Sequence, residues 1–405
     1  MSQHTHETTK MVPPAPEAYL SGDEILDNAI ALGNKIRERD LASEYDDLRS
    51  LPKDIVDDLR AAGVFRMNMP ESWGGPEMNP MQQVRVIEEL SSGDASVGWC
   101  SFIWTDSGIY SGYLNQEVAR EMYPVLDMMT SGWVYPVGRA DKVEGGYEIS
   151  GSWMFGSGST HCDWLVAGCT VWENGEMLFN EDSSPQTRVC YAKPEDYDIL
   201  DTWYTTGLRG TGSNDYKAEG LFVPEERSFM LGGEPMRPGT IWKRPDHFLR
   251  KMSGVPLGVA RTALNTAKAT LSQKVDLMKG VPYHDTARVQ TAIAEASIKL
   301  NSARAYVFTT LENAWEKIQN DVPLTNEERA DLWMSRTHAF QTGREVTSII
   351  YDAVGGSAIY SKRGSFDRYF RDMQTACQHL CGQVKMYEDC GKLLLGSEEG
   401  IHPLI

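Results

Sequence analysis

The residues whose types and spacing could do chemistry are concentrated in one stretch, Gly145-Gly-Tyr-Glu-Ile-Ser-Gly-Ser-Trp-Met-Phe-Gly-Ser-Gly-Ser-Thr-His-Cys-Asp-Trp164. A wide aromatic, Trp153, a small hydroxyl, Ser157, and glycines that allow close approach suit a flat heteroaromatic cofactor. Such a ring needs one face to pack against and one polar edge to hold. The same residues also fit an ordinary hairpin with a tryptophan in its core: a Gly-Gly turn, a strand over Tyr147–Trp153 and a second over Trp164–Trp172. On the segment alone both readings stand.

Other candidates are weaker. His161 follows the segment directly and can equally turn a hairpin. His338 lies mid-helix, and His247 and His284 flank loops. Glu88-Glu89 and Asp57-Asp58 are adjacent in sequence, which suits solvated helix charges better than a facing carboxylate pair. Cys377 and Cys381 bracket His379 one helical turn apart, which is not a zinc-ligand spacing, and no metal is expected. The set Trp99, Trp104, Tyr110, Trp133 and Tyr135 could shape a pocket for a flat apolar ligand or simply pack a core.

Net charge and composition narrow the class. A formal net charge of −18 argues against nucleic acid, whose phosphates need a basic surface, and against anionic membrane surfaces. Seven cysteines without framework spacing suggest reduced thiols in a cytoplasmic protein. The polar N-terminus has no apolar export segment, and no apolar run approaches bilayer length. There is no Gly-x-Gly-x-x-Gly opening a βαβ unit, no Walker loop, no His-Glu-x-x-His and no Gly-x-Ser-x-Gly elbow.

The elements that must position these residues fall into three zones. After a Pro-rich lead-in over 1–20, helical periodicity starts at Ser21, where Ser-Gly-Asp-Glu forms a capping box. It recurs at about Pro52–Ala62, Pro80–Ser91 and Gln116–Met122, which gives an N-terminal helical domain over 21–130. From 131 to 235 the period shortens to two, as expected of a central, mostly antiparallel, barrel-like β domain. From 236 to 405 the helical pattern returns in four long segments, Gly254–Lys279, Thr286–Ile318, Asn326–Val354 and Phe366–Leu395, expected to form a four-helix bundle. The fold class is α+β, and any cofactor belongs where the β domain meets the bundle.

Eight motifs in this order carry a resemblance. They are Ala62-Gly-Val-Phe-Arg-Met67 near Trp73-Gly-Gly75, Asp94-Ala-Ser-Val-Gly-Trp99, Pro136-Val-Gly-Arg-Ala140, and the Gly145–Trp164 stretch. They continue with Thr202-Trp-Tyr-Thr-Thr-Gly-Leu-Arg-Gly-Thr-Gly-Ser213, Phe222-Val-Pro224, Gly355-Gly-Ser-Ala-Ile-Tyr360 and Phe370-Arg-Asp-Met-Gln-Thr-Ala-Cys-Gln-His379. Over nearly its whole length the chain resembles the acyl-CoA dehydrogenase superfamily, and within it the flavin-dependent monooxygenases of two-component systems. The resemblance implies a flavin at the junction of β domain and bundle. Trp153 and Ser157 would line its ring system, and Gly158 and the Arg209–Ser213 loop would lie near it or its entrance. Gly355 and Gly356 would approach its phosphate end from a neighbouring subunit of a homotetramer.

The same resemblance separates two chemistries. A dehydrogenase needs a carboxylate beside the flavin, about two turns after the Arg371-Asp372 pair, where this chain has His379 and Leu380. An alternative place near Phe248 leaves only Asp246, two residues away, as a displaced base. The adenine-gripping Arg-x-Phe-Gly is missing from Gln273–Pro282, and Asp352 stands where a glutamine is expected. These departures imply an oxygenase component that borrows reduced FMN or FAD from a separate NAD(P)H-dependent reductase. It would react with O₂ and hydroxylate an aromatic, polycyclic or amine substrate through a C4a-hydroperoxyflavin. His379 would then be catalytic, since an imidazole with an ordinary pKa of about 6.5 suits proton transfer near neutral pH. An acyl-CoA dehydrogenase and a catalytically silent flavin-binding protein are the alternatives.

Overall fold

The structure, a computed structural model, describes residues 19–39, 42–278 and 280–405. Of the lead-in expected over 1–20, only Tyr19 and Leu20 fall within them. The first layer is helical: α1 (Gly22–Arg39), α2 (Ala42–Leu48), α3 (Lys53–Ala61), α4 (Pro80–Gly93), α5 (Ala95–Trp104), α6 (Asp106–Tyr110) and α7 (Gln116–Met122). The capping box read at Ser21 forms. Its hydroxyl accepts from the Glu24 N–H at 3.2 Å, and the Glu24 carboxylate accepts from the Ser21 N–H at 2.8 Å. Between α4 and α5 the carboxylate of Asp94 accepts from the N–H groups of Ser96 and Val97 (2.8 and 3.1 Å), so α5 starts immediately after α4 ends.

The middle layer contains β1 (Thr130–Val143), β2 (Gly146–Gly156), β3 (Trp164–Glu173), β4 (Glu176–Met177), β5 (Thr187–Ala192), β6 (Asp198–Leu200), β7 (Asn214–Pro224) and β8 (Ser228–Phe229). They form one sheet in the order β6-β7-β2-β1-β3-β5-β8, with β4 beside β3. Two expectations are corrected here. The sheet is open, with β6 and β8 at its ends, and does not close into a barrel. Also, β2 and β3 do not form a hairpin: β2 lies between β1 and β7, while β3 runs parallel to β1 on the other side. The Gly145-Gly146 turn instead joins β1 to β2, with Gly145 at φ +80° supplying the left-handed residue.

The last layer is the bundle: a single turn α8 (His247–Arg250), then α9 (Gly254–Gln273), a small hairpin of β9 (Val275–Asp276) and β10 (Val281–Pro282), α10 (Ala287–Gln319), α11 (Asn326–Val354), α12 (Phe366–Ala376) and α13 (Tyr387–Leu394). α10 and α11 match expectation closely. α9 is shorter than expected, because its last turn is replaced by the hairpin. The final helix expected over 366–395 is broken in two. α12 ends at Ala376, and turns at Leu380–Gly382 and Val384–Met386 lead into α13.

Glycines set how closely the helices cross. At Gly258 of α9 a Cβ would overlap the Glu88 carbonyl of α4, and at Gly93 a Cβ would stand 2.8 Å from the Gly33 carbonyl of α1. The helical layers are also tied by charge. Glu88, only 1% exposed, receives Arg261 of α9 at 3.2 Å and Arg304 of α10 at 3.1 Å. All seven cysteines are buried and free.

Candidate active site

The segment that opened the sequence reading splits in two. Trp153 has none of its surface exposed. Its indole N–H donates to the Gly168 carbonyl at 2.8 Å, and its ring stacks on Tyr216 with centroids 5.6 Å apart. Expected to line a cofactor, it is instead a core residue of the sheet, with no face to offer a ligand. The aromatic turned outward is Phe155, 54% exposed at φ +61°. A regular strand would put 153 and 155 on one face; the left-handed backbone at 155 breaks that alternation. Phe155 meets Trp133 edge-on at 5.5 Å and Trp203 at 6.3 Å, and Tyr135 continues the row 6.3 Å beyond Trp133.

Two residues on, the chain dips into a polar junction. The Ser157 hydroxyl lies 2.7 Å from that of Ser213 and accepts from the Trp99 indole N–H at 3.1 Å; Ser213 is in turn 2.6 Å from the Thr211 hydroxyl. Gly158 (φ +68°) donates to the Thr211 carbonyl at 2.8 Å, and a Cβ there would overlap the Trp104 indole. Thus the sheet domain (Ser157, Gly158), the 205–213 loop (Thr211, Ser213) and α5 (Trp99, Trp104) meet at one point. Trp99 then reaches the third zone, since its ring meets His379 edge-on at 5.6 Å. The structure therefore brings Ser157 and His379, far apart in sequence, to either side of one indole.

His379 is not on a long helix as expected. It lies just past the end of α12, where its Nδ1 accepts from the Cys381 N–H at 3.2 Å. That contact fixes the tautomer of the neutral ring, leaving the proton on Nε2. Burial, with a lesser contribution from the Arg336 guanidinium, holds its pKa down at about 4. The expected titration near neutrality is therefore replaced by a neutral imidazole that presents an N–H. His161 sits beside Trp104 (6.1 Å), its Nε2 3.1 Å from the Ser50 hydroxyl, and burial lowers its pKa as well.

The remaining candidates are dispersed. Arg209 stands at the head of the Arg209–Thr211 turn with a buried Nε that has no hydrogen-bond partner among the described residues. Gly355 and Gly356 end α11, where nothing comes within 4 Å of a Cβ on either. They lie about 20 Å along that helix, at ~1.5 Å per residue, from Gln341, whose amide donates to the Gly382 carbonyl next to the His379 turn. In a single chain they stand apart from the Ser157–His379 cluster. Lys274 and Arg288 cap the nearby carbonyls of Val354, Asp352 and Ala353. Of the aromatic pocket set, Trp99, Trp104 and Tyr110 are all buried, the first two at the junction, whereas half-buried Trp133 and exposed Tyr135 belong to the outward row.

Asp246, the displaced dehydrogenase base, is sealed beneath three guanidiniums. Arg250 binds both of its oxygens (3.0 and 2.9 Å), with Arg244 at 3.2 Å and Arg336 at 3.6 Å. Those cations outweigh the cost of burial and hold its carboxyl well below the usual range. A carboxylate so neutralised is a poor proton acceptor.

Comparison with known proteins shows the family of the chain. Residues 33–122 match the acyl-CoA dehydrogenase N-terminal domain and residues 251–383 the acyl-CoA dehydrogenase C-terminal domain. The chain is 30% identical to the indole-3-acetate monooxygenase of Pseudomonas putida, over 91% of this chain and 93% of that one. It is 28% identical to the oxygenase subunit HsaA, a flavin-dependent monooxygenase of Rhodococcus jostii, over 86% of this chain and 92% of the other. The HsaA monooxygenase structure from M. tuberculosis superposes with a TM-score of 0.86 at 23% identity, covering 95% of this chain and all of that one. The chain belongs to the acyl-CoA dehydrogenase family, as an oxygenase component of its flavin-dependent monooxygenases.

Proposed function

We infer that this oxygenase takes reduced FMN or FAD from a separate NAD(P)H-dependent reductase and uses O₂ to hydroxylate an aromatic, polycyclic or amine substrate. The observation that carries the site assignment is the continuous contact His379–Trp99–Ser157–Ser213, which joins three zones of the chain at one indole. The residues fit a flavin. Exposed Phe155, with half-buried Trp133 and Trp203 against it, offers a face for a flat ring, and the Nε of Arg209, without a partner among the described residues, offers a donor for an anionic edge. When bound, the flavin supplies the activation of oxygen.

The protein's contribution is orientation and proton placement. With the flavin in place, the Nε2–H of His379 would donate a hydrogen bond to oxygen held beside the ring, and the neutral imidazole would supply no acid to promote its loss as hydrogen peroxide. Trp99 and the end of α12 keep bulk solvent from the same spot. Ser157, Gly158 and the Arg209–Ser213 loop position the ring edge. Gly355 and Gly356 serve the phosphate end from a neighbouring subunit of a homotetramer, which their open surroundings permit. We place the protein in the cytoplasm; among the described residues no helix is long and apolar enough to cross a membrane.

The test supplies NADH, a flavin reductase, O₂ and a panel of aromatic acids and phenols, and measures hydroxylated product against released hydrogen peroxide. The expected result is product from the wild type, and at least a tenfold fall in the product-to-peroxide ratio for His379→Ala. A purified chain that reduces a dye with an acyl-CoA and forms no hydroxylated product would overturn the reading.

A further inference from the structure

α12 grips the rest of the molecule immediately before His379. Toward the sheet domain, the Asp372 carboxylate accepts from the Leu208 N–H at 2.7 Å and the Arg371 guanidinium donates to the Thr206 carbonyl. The hydroxyls of Thr206 and Thr375 are 3.4 Å apart. Gly207, between them, lies so close to the helix that a Cβ would overlap the Arg371 carbonyl. Toward the N-terminal helices, Arg371 pairs with Asp46 of α2 at 3.1 Å, and Arg368 reaches Asp94 at 3.8 Å, the residue that caps α5. One helix of three turns thus holds both the loop carrying Thr211 and Ser213 and the cap of the helix carrying Trp99.

The loop needs that grip. Leu208 (φ +50°) and Gly212 (φ +52°) are both left-handed, and a leucine adopts that conformation only when its surroundings impose it. Asp372 is buried among charges from each element packed on it: Asp46 from α2, Asp94 at the head of α5, and Arg368 and Arg371 from α12 itself. Burial, with Asp46 and Asp94, pushes its carboxyl up to about 7, opposed by Arg368 and the Leu208 N–H. A carboxyl so tuned would suit proton transfer if it were open to a substrate. Its Oδ1 is instead turned onto the loop backbone.

We propose that Asp372 is the positioning residue of the site, pinning the 205–213 loop to α12 so that the Thr211–Ser213–Ser157 hydroxyl chain and Trp99 meet His379 in one arrangement. The catalytic consequence rests on the oxygenase reading above; the pin is a property of the chain alone. Burial and the neighbouring Asp46 and Asp94 oppose ionisation of Asp372 more than the Leu208 N–H favours it, so the packed loop binds the proton more tightly than an opened one and loosens as pH rises to about 7.

Amide hydrogen exchange on the full chain without flavin tests the pin. After correction for intrinsic rates, Asp372→Ala should speed exchange at Leu208 at least tenfold, with the increase confined to 205–213 and the adjoining turn. Asp372→Asn keeps a carbonyl acceptor, so it should restore most of the protection and abolish its fall as pH rises to about 7. Should Asp372→Ala not fold, Gly207→Ala pushes the loop off α12 with Asp372 intact and should give the same local loosening. Unchanged exchange at Leu208 in both alanine variants, or a wild-type pH dependence that persists in Asp372→Asn, would overturn the proposal. Reduced-flavin titration separates the two readings. The alanine variants should bind at least tenfold more weakly than wild type, whereas a wild type that binds neither FMN nor FAD defeats the oxygenase reading and leaves the exchange result standing.

Discussion

Trp153 and Phe155 show how a single backbone angle reassigns a role. Both are aromatic, they lie two residues apart in one strand, and the alternation of a strand would point them the same way. The positive φ at Phe155 falls where the pairing of β2 with β7 shifts register between Trp153 and Gly156, so the residue types around it do not specify which ring turns outward. Substitution separates them. Trp153→Ala should cost about 3–5 kcal/mol of stability, the usual range for emptying an aromatic core site. Phe155→Ala should leave the urea midpoint within about 0.5 kcal/mol of wild type, as at most exposed positions, yet weaken reduced-flavin binding several-fold. Equal effects of the two substitutions on flavin affinity would contradict the assignment.

His379 was legible as a chemically apt residue, but its protonation state was not, because that state depends on burial and on the Cys381 N–H. Its pKa of about 4 lies below the unfolded value of about 6.5. The native chain therefore binds fewer protons than the unfolded chain between those values, and stability from this group is present above pH 6.5 and lost as pH falls toward 4. Coupled hydroxylation should accordingly stay level from pH 6 to 8 as far as His379 is concerned. Its acid limb should be centred well below 6.5, measured as product formed per NADH consumed. A limb near 6.5 that vanishes in His379→Gln would show the ring to be protonated at work.

At the scale of elements, local signals located the helices well. The Ser21 capping box and the full extents of α7 and α11 follow from side chains within a few residues of each end. What failed was long-range. The break after Ala376 has no proline to announce it, and its glycine, Gly382, lies six residues farther on. It arises because His379 caps the next turn and Gly382 packs against Cys377, where a Cβ would lie 2.8 Å from the Cys377 Cα. The open sheet, with β3 parallel to β1, is a pairing choice that alternation alone does not encode. Glycines at helix crossings are a further case. Gly258→Ala would gain about 1 kcal/mol of helix propensity, but the new methyl overlaps the Glu88 carbonyl across α4. The net effect expected is a loss of about 1–3 kcal/mol, read from the urea midpoint. A stabilised variant would mean that α4 and α9 can part without cost.

Across the whole molecule, Glu88 is the carboxylate through which α4 meets both α9 and α10. Removing it leaves Arg261 with Glu89 alone and Arg304 without its carboxylate partner. Glu88→Ala should therefore lower stability by about 3 kcal/mol, and the melting temperature should fall correspondingly. An unchanged melting temperature would assign the clamp no structural weight.

The seven buried thiols acquire a different meaning in a protein that handles oxygen. Whenever reduced flavin arrives and no substrate follows, the cycle ends in hydrogen peroxide, released next to the polypeptide that produced it. Peroxide attacks thiolates, and here burial pushes the thiols of Cys100, Cys162, Cys377, Cys381 and Cys390 up, away from the ionised form. Cys377 and Cys381 stand closest in sequence to His379, and would be the first exposed to such a leak. Burial that keeps sulfur protonated and out of water lowers its reactivity toward the peroxide of such idle cycles.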